Sequence, residues 1–253
     1  MPACPSGDVS LQNLPSTLYN AVVYPLAPYA LRGVVWYQGE SNVGNPAPYA
    51  DYLQKLMSCW RTLWNDPKLP FCIVQLANYD GRQQTGTPSL ISYQSAPVNS
   101  NWALLREAQR VVAKDDPYAE LAVTNDIGET VDIHPLRKKE VAERVGLCFD
   151  KIAYGKKVLL SPQPIQAVVE DGKVVVTFDQ RLVDGEQAEF EVAGPDGQFA
   201  NATAKAIGNK VVVECAIQDP ATVRYAWKDN PLRAGVRSLS GLPMSSFEMR
   251  VTK

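Results

Sequence analysis

Over its first 160 residues the sequence alternates short β-branched apolar runs with longer amphipathic stretches of helical period, and few folds accept that pattern. Leu31 to Tyr37 (LRGVVWY) reads as a buried strand. Pro46 and Pro48 then mark a helix start. Tyr49, Leu53, Leu56, Met57, Trp60, Leu63 and Trp64 follow at spacings of three and four, giving a helix with one core-facing stripe that Pro67 and Pro70 end. Phe71 to Leu76 (FCIVQL) is a second buried strand, and Glu120 to Thr124 (ELAVT) a third. A helix from Trp102 to Lys114 is expected to bury Leu104, Ala108 and Val111. Another, from Arg137 to Tyr154, buries Val141, Val145, Cys148 and Ile152. Such alternation implies right-handed crossovers and a parallel sheet covered by helices. Ligands of these sheets bind outside the carboxyl ends of the strands. That edge carries the segments Gln38–Asn42 and Asn125–His134. A polar loop from Asn78 to Asn101 is long enough to be functional or mobile.

The pattern changes at Ser161-Pro162-Gln163-Pro164, which reads as a linker. Beyond it lie β-type runs separated by turn signals. Asp171-Gly172 precedes Lys173–Phe178, Gly208-Asn209 precedes Lys210–Val213, and Thr222–Trp227 and Phe247–Val251 read as closing strands. No helical period appears. The expected organisation is an α/β unit over 1–160 and an all-β sandwich over 161–253.

Charge and composition exclude several classes. The net charge is −2 with the basic residues dispersed, which does not make the concentrated basic face that nucleic-acid binding requires. The apolar stretches are far shorter than a bilayer span, so no membrane partner is expected. Met1 to Ser10 has neither the basic nor the apolar region of a secretion signal. The five cysteines form no C-x-x-C pair, which argues against a thiolate zinc site. Cys59, Cys72 and Cys148 read as small core residues. There is one histidine, His134, so a metal site built on two or three histidines cannot form within one copy.

That histidine lies in Asp132-Ile133-His134-Pro135. A carboxylate two residues away can accept the Nδ1 proton, fix the tautomer and stabilise the imidazolium. The competing reading is a surface loop in which Asp132 caps the next helix. Gln38-Gly39-Glu40-Ser41-Asn42 is the second candidate: glycine permits close backbone approach, and amide donors can face an oxyanion. Its competing reading is a strand-to-helix loop whose Ser or Asn caps the helix. Ser41 sits near a strand-to-helix turn, yet Gly39 to Val43 fails the G-x-S-x-G pattern at its last position and Glu40 opposes charge on its neighbour. Arg106, Glu107 and Gln109 read as structural, and Trp36, Tyr37, Trp60, Trp64 and Trp102 as core.

Together these motifs resemble one family. Leu18-Tyr19-Asn20-Ala21, Trp36-Tyr37-Gln38-Gly39-Glu40-Ser41-Asn42, Gln75-Leu76-Ala77-Asn78, Arg106-Glu107-Ala108-Gln109, Asp126-Ile127-Gly128 and Asp132-Ile133-His134-Pro135 occur in the order found in sialate O-acetylesterases, which are SGNH-type hydrolases. Arg224-Tyr225-Ala226-Trp227 and Gly241-Leu242-Pro243 extend the likeness to the C-terminal part. The resemblance implies a three-layer SGNH-like sheet and serine-esterase chemistry on acetylated carbohydrate, without metal or organic cofactor. It makes His134 the general base, Asp132 its orienting partner, and Gln38, Gly39 and Glu40 the wall beside the oxyanion. It also implies a periplasmic or extracellular location. The family's nucleophile lies in a G-Q-S-N motif, which this sequence does not contain. The expectation is therefore an incomplete sheet, inactive alone, whose partner is a segment bearing the nucleophile or another copy of the chain.

Overall fold

The computed structural model describes residues 14–80, 97–231 and 233–253. Most of the expected loop between Asn78 and Asn101 lies outside them, as does Cys4. Short helical turns over Tyr19–Val23 and Tyr24–Leu26 lead into β1 (Val34–Trp36), followed by α1 (Tyr49–Leu63), β2 (Phe71–Val74), α2 (Asn101–Asp115), β3 (Ala119–Ala122) and α3 (Lys138–Ile152). The three strands make a parallel sheet in the order β1-β2-β3, with Val34 opposite Phe71 and Phe71 opposite Ala119. Alternation sends Val34, Phe71, Ile73, Ala119 and Leu121 to one face, where Leu53 and Met57 of α1 and Leu105 and Val112 of α2 enclose them. On the opposite face Cys72, Val74 and Ala122 meet Val141 and Cys148 of α3. Each large side chain fully buried here contributes roughly 1.5–3 kcal/mol of transfer free energy.

Three expectations need correction. The run 31–37 is not a buried strand: Val35 is 50% exposed and Tyr37 37%. Among the described residues β1 is an edge strand hydrogen-bonded only to β2, and α3 lies over β2 and β3 instead. α2 turns a different face inward. Leu104 is exposed, and Ala108 and Val111 are only partly covered, while Trp102, Leu105, Arg106, Gln109 and Val112 are buried. Apolar spacing misjudged this helix because three of its buried positions, Arg106, Gln109 and Arg110, are polar groups with specific partners. Cys59 lies on the exposed side of α1, unlike the buried Cys72 and Cys148. Proximity to Cys148 and burial hold the Cys72 thiol well above its usual pKa.

From Pro164 the chain is all β. β4 (Pro164–Glu170), β5 (Lys173–Phe178), β6 (Gly185–Ala193), β7 (Phe199–Ile207), β8 (Lys210–Glu214), β9 (Thr222–Tyr225) and β10 (Phe247–Thr252) form a closed barrel in the order β10-β4-β5-β8-β7-β6-β9. This corrects the sandwich. All neighbours are antiparallel except β10 and β4, whose parallel pairing of Val251 with Ala167 joins the last strand to the first. Asp171-Gly172 forms the turn between β4 and β5. Val174, Val176, Phe178, Phe190, Val192, Val211, Val213, Tyr225 and Phe247 fill the interior.

The barrel meets the α/β part through buried polar contacts. Gln75 Nε2 donates to Ser245 Oγ (2.5 Å), Asn78 Nδ2 to Asn230 Oδ1 (2.9 Å), and Asn125 Nδ2 to the Met244 carbonyl (2.9 Å). Fully buried Arg106 donates to the carbonyl of Lys228 and to that of Asp229 (3.3 Å). Burial pulls the Arg106 guanidinium down to about 9, with Asp229 acting in the opposite sense. Such bonds contribute about 1 kcal/mol each when made, but a buried partner left alone costs about 1–3 kcal/mol.

Candidate active site

The loop after β1 is built from its glycine outward. Gly39 has φ 153°, a backbone that side-chain-bearing residues rarely adopt, and a Cβ there would come within 2.9 Å of Leu105 Cδ2. Beyond it Glu40–Asn42 makes one tight helical turn. Gln38 is held on several sides. Its carbonyl accepts from Tyr49 Oη (3.0 Å) and Gln109 Nε2 (3.1 Å), and its own Nε2 donates to Asn42 Oδ1 (2.7 Å). Trp36 Nε1 lies 3.3 Å from the Tyr49 hydroxyl. Gln109 also accepts the Leu76 N–H (2.9 Å), tying the loop to the end of β2. Burial raises the Tyr49 pKa, with Trp36 and Gln109 opposing, so Tyr49 stays a neutral donor.

The Gln38 side chain is therefore turned to Asn42, and what the loop presents to the outside is Glu40 and Ser41. Neither Ser41 nor Asn42 caps α1, which starts at Tyr49 after Pro48.

The second loop starts from β3. Asp126 is clamped by Arg144, at 2.6 and 3.1 Å, and by Arg237 of the barrel at 3.0 Å. Burial pushes its pKa up, but the two guanidiniums together outweigh burial and hold it below the usual value. Gly128 packs so close to Asn78 that a Cβ would collide with the Asn78 carbonyl. Its N–H donates to Asn78 Oδ1 at 2.7 Å. Ile133 then packs on the core and Pro135 is buried. Asp132 Oδ1 accepts the His134 N–H at 2.8 Å and lies 3.4 Å from His134 Nδ1. The same carboxylate thus shapes the turn and faces the ring. It does not cap α3, whose N-cap is Arg137.

The two loops meet. Tyr37, Glu40, Ser41, Ile133, His134, Pro135 and Lys138 line one open cavity of about 390 Å³. His134 is 87% exposed and Asp132 55%, so water screens their attraction. The imidazole shares this cavity with Glu40 and Ser41 of the Gln38–Asn42 loop, while most of the ring is uncovered. Among the described residues, no three His, Cys, Asp or Glu side chains group so as to hold a metal ion, and no helix is long and apolar enough to cross a membrane. A larger groove of about 510 Å³ lies beside β3, lined by Arg110, Asp116, Glu120 and Lys151. It holds no histidine and borders the start of β3, away from the carboxyl edge.

Four residues around the site escaped the sequence reading. Tyr49 registered only as a core position and Gln109 only as structural, although each holds Gln38. Tyr37, read as core, is exposed beside Lys138, whose Nζ lies 5.1 Å from its ring centre. The one available signal was Gln109: a polar residue on the inner side of an amphipathic helix needs a partner.

The chain is similar to known carbohydrate esterases. The family model for carbohydrate esterase, sialic acid-specific acetylesterase, matches residues 6–127. Sialate O-acetylesterase of Mus musculus is 30% identical over 66% of this chain and 32% of its own length. That of Rattus norvegicus is 27% identical over 94% of this chain and 47% of its own. The crystal structure of a carbohydrate acetylesterase from Xanthomonas citri superposes with a TM-score of 0.81 at 36% identity, over 92% of this chain and 53% of that one. The chain thus spans about a third to a half of the length of these relatives. Over the part that it spans, the chain is similar to the sialate O-acetylesterases.

Proposed function

We propose that this chain forms the histidine side of a serine-type carbohydrate O-acetylesterase, in which residues 1–160 belong to a three-layer SGNH-like unit and 161–253 to a second unit. The single observation that carries the reading is the cavity shared by His134, Glu40 and Ser41 at the carboxyl edge of the parallel sheet. In the reaction, a serine hydroxyl adds to the acetyl carbonyl carbon while His134 Nε2 takes its proton. The sugar hydroxyl leaves with that proton, and an acetyl-serine remains. Water, deprotonated by the same imidazole, releases acetate and restores the serine. Asp132 orients the ring, and the Gln38–Glu40 backbone walls the oxyanion side.

The nucleophile in this reading comes from a strand added beside β1. The free edge of β1, the exposed Val35, and the exposed Leu18, Val22, Leu26 and Leu31 nearby in sequence support a covering element there. A serine at the carboxyl end of such a strand would face the open side of His134. The substrate is an acetylated sugar.

The test is acetate release from p-nitrophenyl acetate and from O-acetylated sugars. It compares this chain alone, the chain joined to the segment that precedes the matching part in its relatives, and the same pair carrying His134→Ala or Ser41→Ala. The expected result is activity only with the added segment, lost in His134→Ala and kept in Ser41→Ala. Activity of the chain alone that vanishes with Ser41→Ala would transfer the nucleophile to Ser41. Sugar binding without hydrolysis in every form would leave a carbohydrate-binding protein on an esterase fold.

A further inference from the structure

The loop that carries His134 is fixed from outside the α/β part, by a chain of amide hydrogen bonds with one consistent direction. Gly128 N–H donates to Asn78 Oδ1 (2.7 Å), Asn78 Nδ2 to Asn230 Oδ1 (2.9 Å), and Asn230 Nδ2 to Thr130 Oγ1 (3.1 Å). Asn230 belongs to the segment after β9. It therefore takes one bond from the end of β2 and gives one to the histidine loop, two residues before Asp132. Thr130 is held a second time, its carbonyl accepting the Asp80 N–H (2.8 Å). Two further ties come from the barrel: Arg237 to Asp126 (3.0 Å), and the Met244 carbonyl to Asn125 (2.9 Å). Asn78 and Asn230 are both buried, so neither bond can be exchanged freely for water.

We propose that Asn230 is a positioning residue for His134: the barrel sets the register of the histidine loop, and with it the direction in which the imidazole faces the Gln38–Ser41 loop. The geometry favours this over a purely cohesive role. Asn230 contacts the loop at Thr130, after Asp126 and Gly128 have already fixed its start. Beyond Thr130, Ile133 packs on the core and Pro135 is buried before α3 begins. Removing the Asn230 amide takes away one of the two bonds that hold Thr130, leaving the Asp80 N–H on its carbonyl. What the imidazole does once positioned rests on the esterase reading above; where it sits does not.

The chain offers a direct reporter, because His134 is its only histidine. Its ring proton and carbon signals can be followed by NMR without assignment ambiguity and without any catalytic activity. Two variants cut the same link from opposite ends. Asn230→Ala removes the donor. Thr130→Val removes the Oγ acceptor and leaves the Thr130 carbonyl in place. Phe178→Leu, in the barrel interior, loosens the barrel core without removing any of these hydrogen bonds.

The expected result is that both link variants shift or broaden the His134 ring signals alike, that the double variant adds little to either one, and that Phe178→Leu leaves them unchanged. In the assembled esterase, the same two variants should lower kcat by about tenfold with KM held within about twofold. Unchanged ring signals in a folded Asn230→Ala protein would overturn the proposal. So would an equal change in Phe178→Leu, since the effect would then be general loosening. Should Asn230→Ala fail to fold, Thr130→Val decides alone. Altered ring signals in a protein that gains no esterase activity in any assembly would sink the esterase reading and leave the positioning intact.

Discussion

Asp132 Oδ1 accepts the backbone N–H of His134 at 2.8 Å and lies 3.4 Å from its Nδ1. The shorter contact holds the turn and the longer one faces the ring. Because both side chains are largely exposed, the longer contact is screened. His134→Ala should remove esterase activity of the assembled enzyme by about 10³-fold or more. Asp132→Asn retains an oxygen for the turn and should cost only about 10- to 100-fold, a smaller loss than for a buried carboxylate. Steady-state kcat/KM on p-nitrophenyl acetate checks both, and equal losses would mean that the carboxylate charge beside the ring matters as much as the imidazole itself.

Asp126 should make stability depend on acidity. Arg144 and Arg237 depress its folded-state pKa against the opposing effect of burial. A depressed carboxylate stabilises the fold fully above its ordinary value near 3.8, and that stabilisation disappears as pH falls through the folded value. Asp126→Asn should therefore cost about 2 kcal/mol at pH 7 and almost nothing once the pH has fallen below the folded-state value of Asp126. Denaturant unfolding at several pH values reads this out. A constant difference across the range would show that the pair is not the source.

Gly128→Ala places a methyl group against the Asn78 carbonyl, the Asn78 side chain and Ala77 Cβ. The first of these is main chain and cannot swing aside. The substitution should cost about 1–3 kcal/mol and should also move the histidine loop, because the Gly128 N–H is its tie to Asn78. A lowered midpoint of thermal unfolding together with altered His134 ring signals is the expected pair of results.

Tyr49→Phe deletes the hydroxyl that donates to the Gln38 carbonyl and accepts from Trp36. Gln109 still holds that carbonyl, so the loss should be modest, about 1 kcal/mol of stability. The Gln38–Asn42 loop should nevertheless loosen. Faster amide hydrogen exchange confined to residues 38–42 would show it, and exchange spread over α1 would point to lost packing instead.

What could be read from the residues, and what could not, follows physical lines. Leu53, Met57, Val141 and Cys148 are buried where helical spacing places them. The parallel order of the strands follows from alternation with helices. D-I-H-P and Q-G-E-S-N meet because both follow strands of one parallel sheet. The exposure of Val35 could not be read, because it depends on which strand lies at the edge. The inward face of α2 was misread because Arg106 and Gln109 are buried for their hydrogen bonds, which hydropathy does not register. Barrel and sandwich share the same local signals, and they differ only in whether Val251 finds Ala167. The link from Asn230 to Thr130 spans 100 residues, and no short motif announces it.

The pairing of β10 with β4 leaves the barrel without an open strand edge. Among the described residues nothing on its rim offers a row of unpaired amides to a neighbouring molecule, whereas β1 and β3 each have no strand on one side. Clumping of this protein at high concentration should accordingly grow from the α/β part alone, and lysines placed along β1 should improve its solubility where the same change on any barrel strand does nothing.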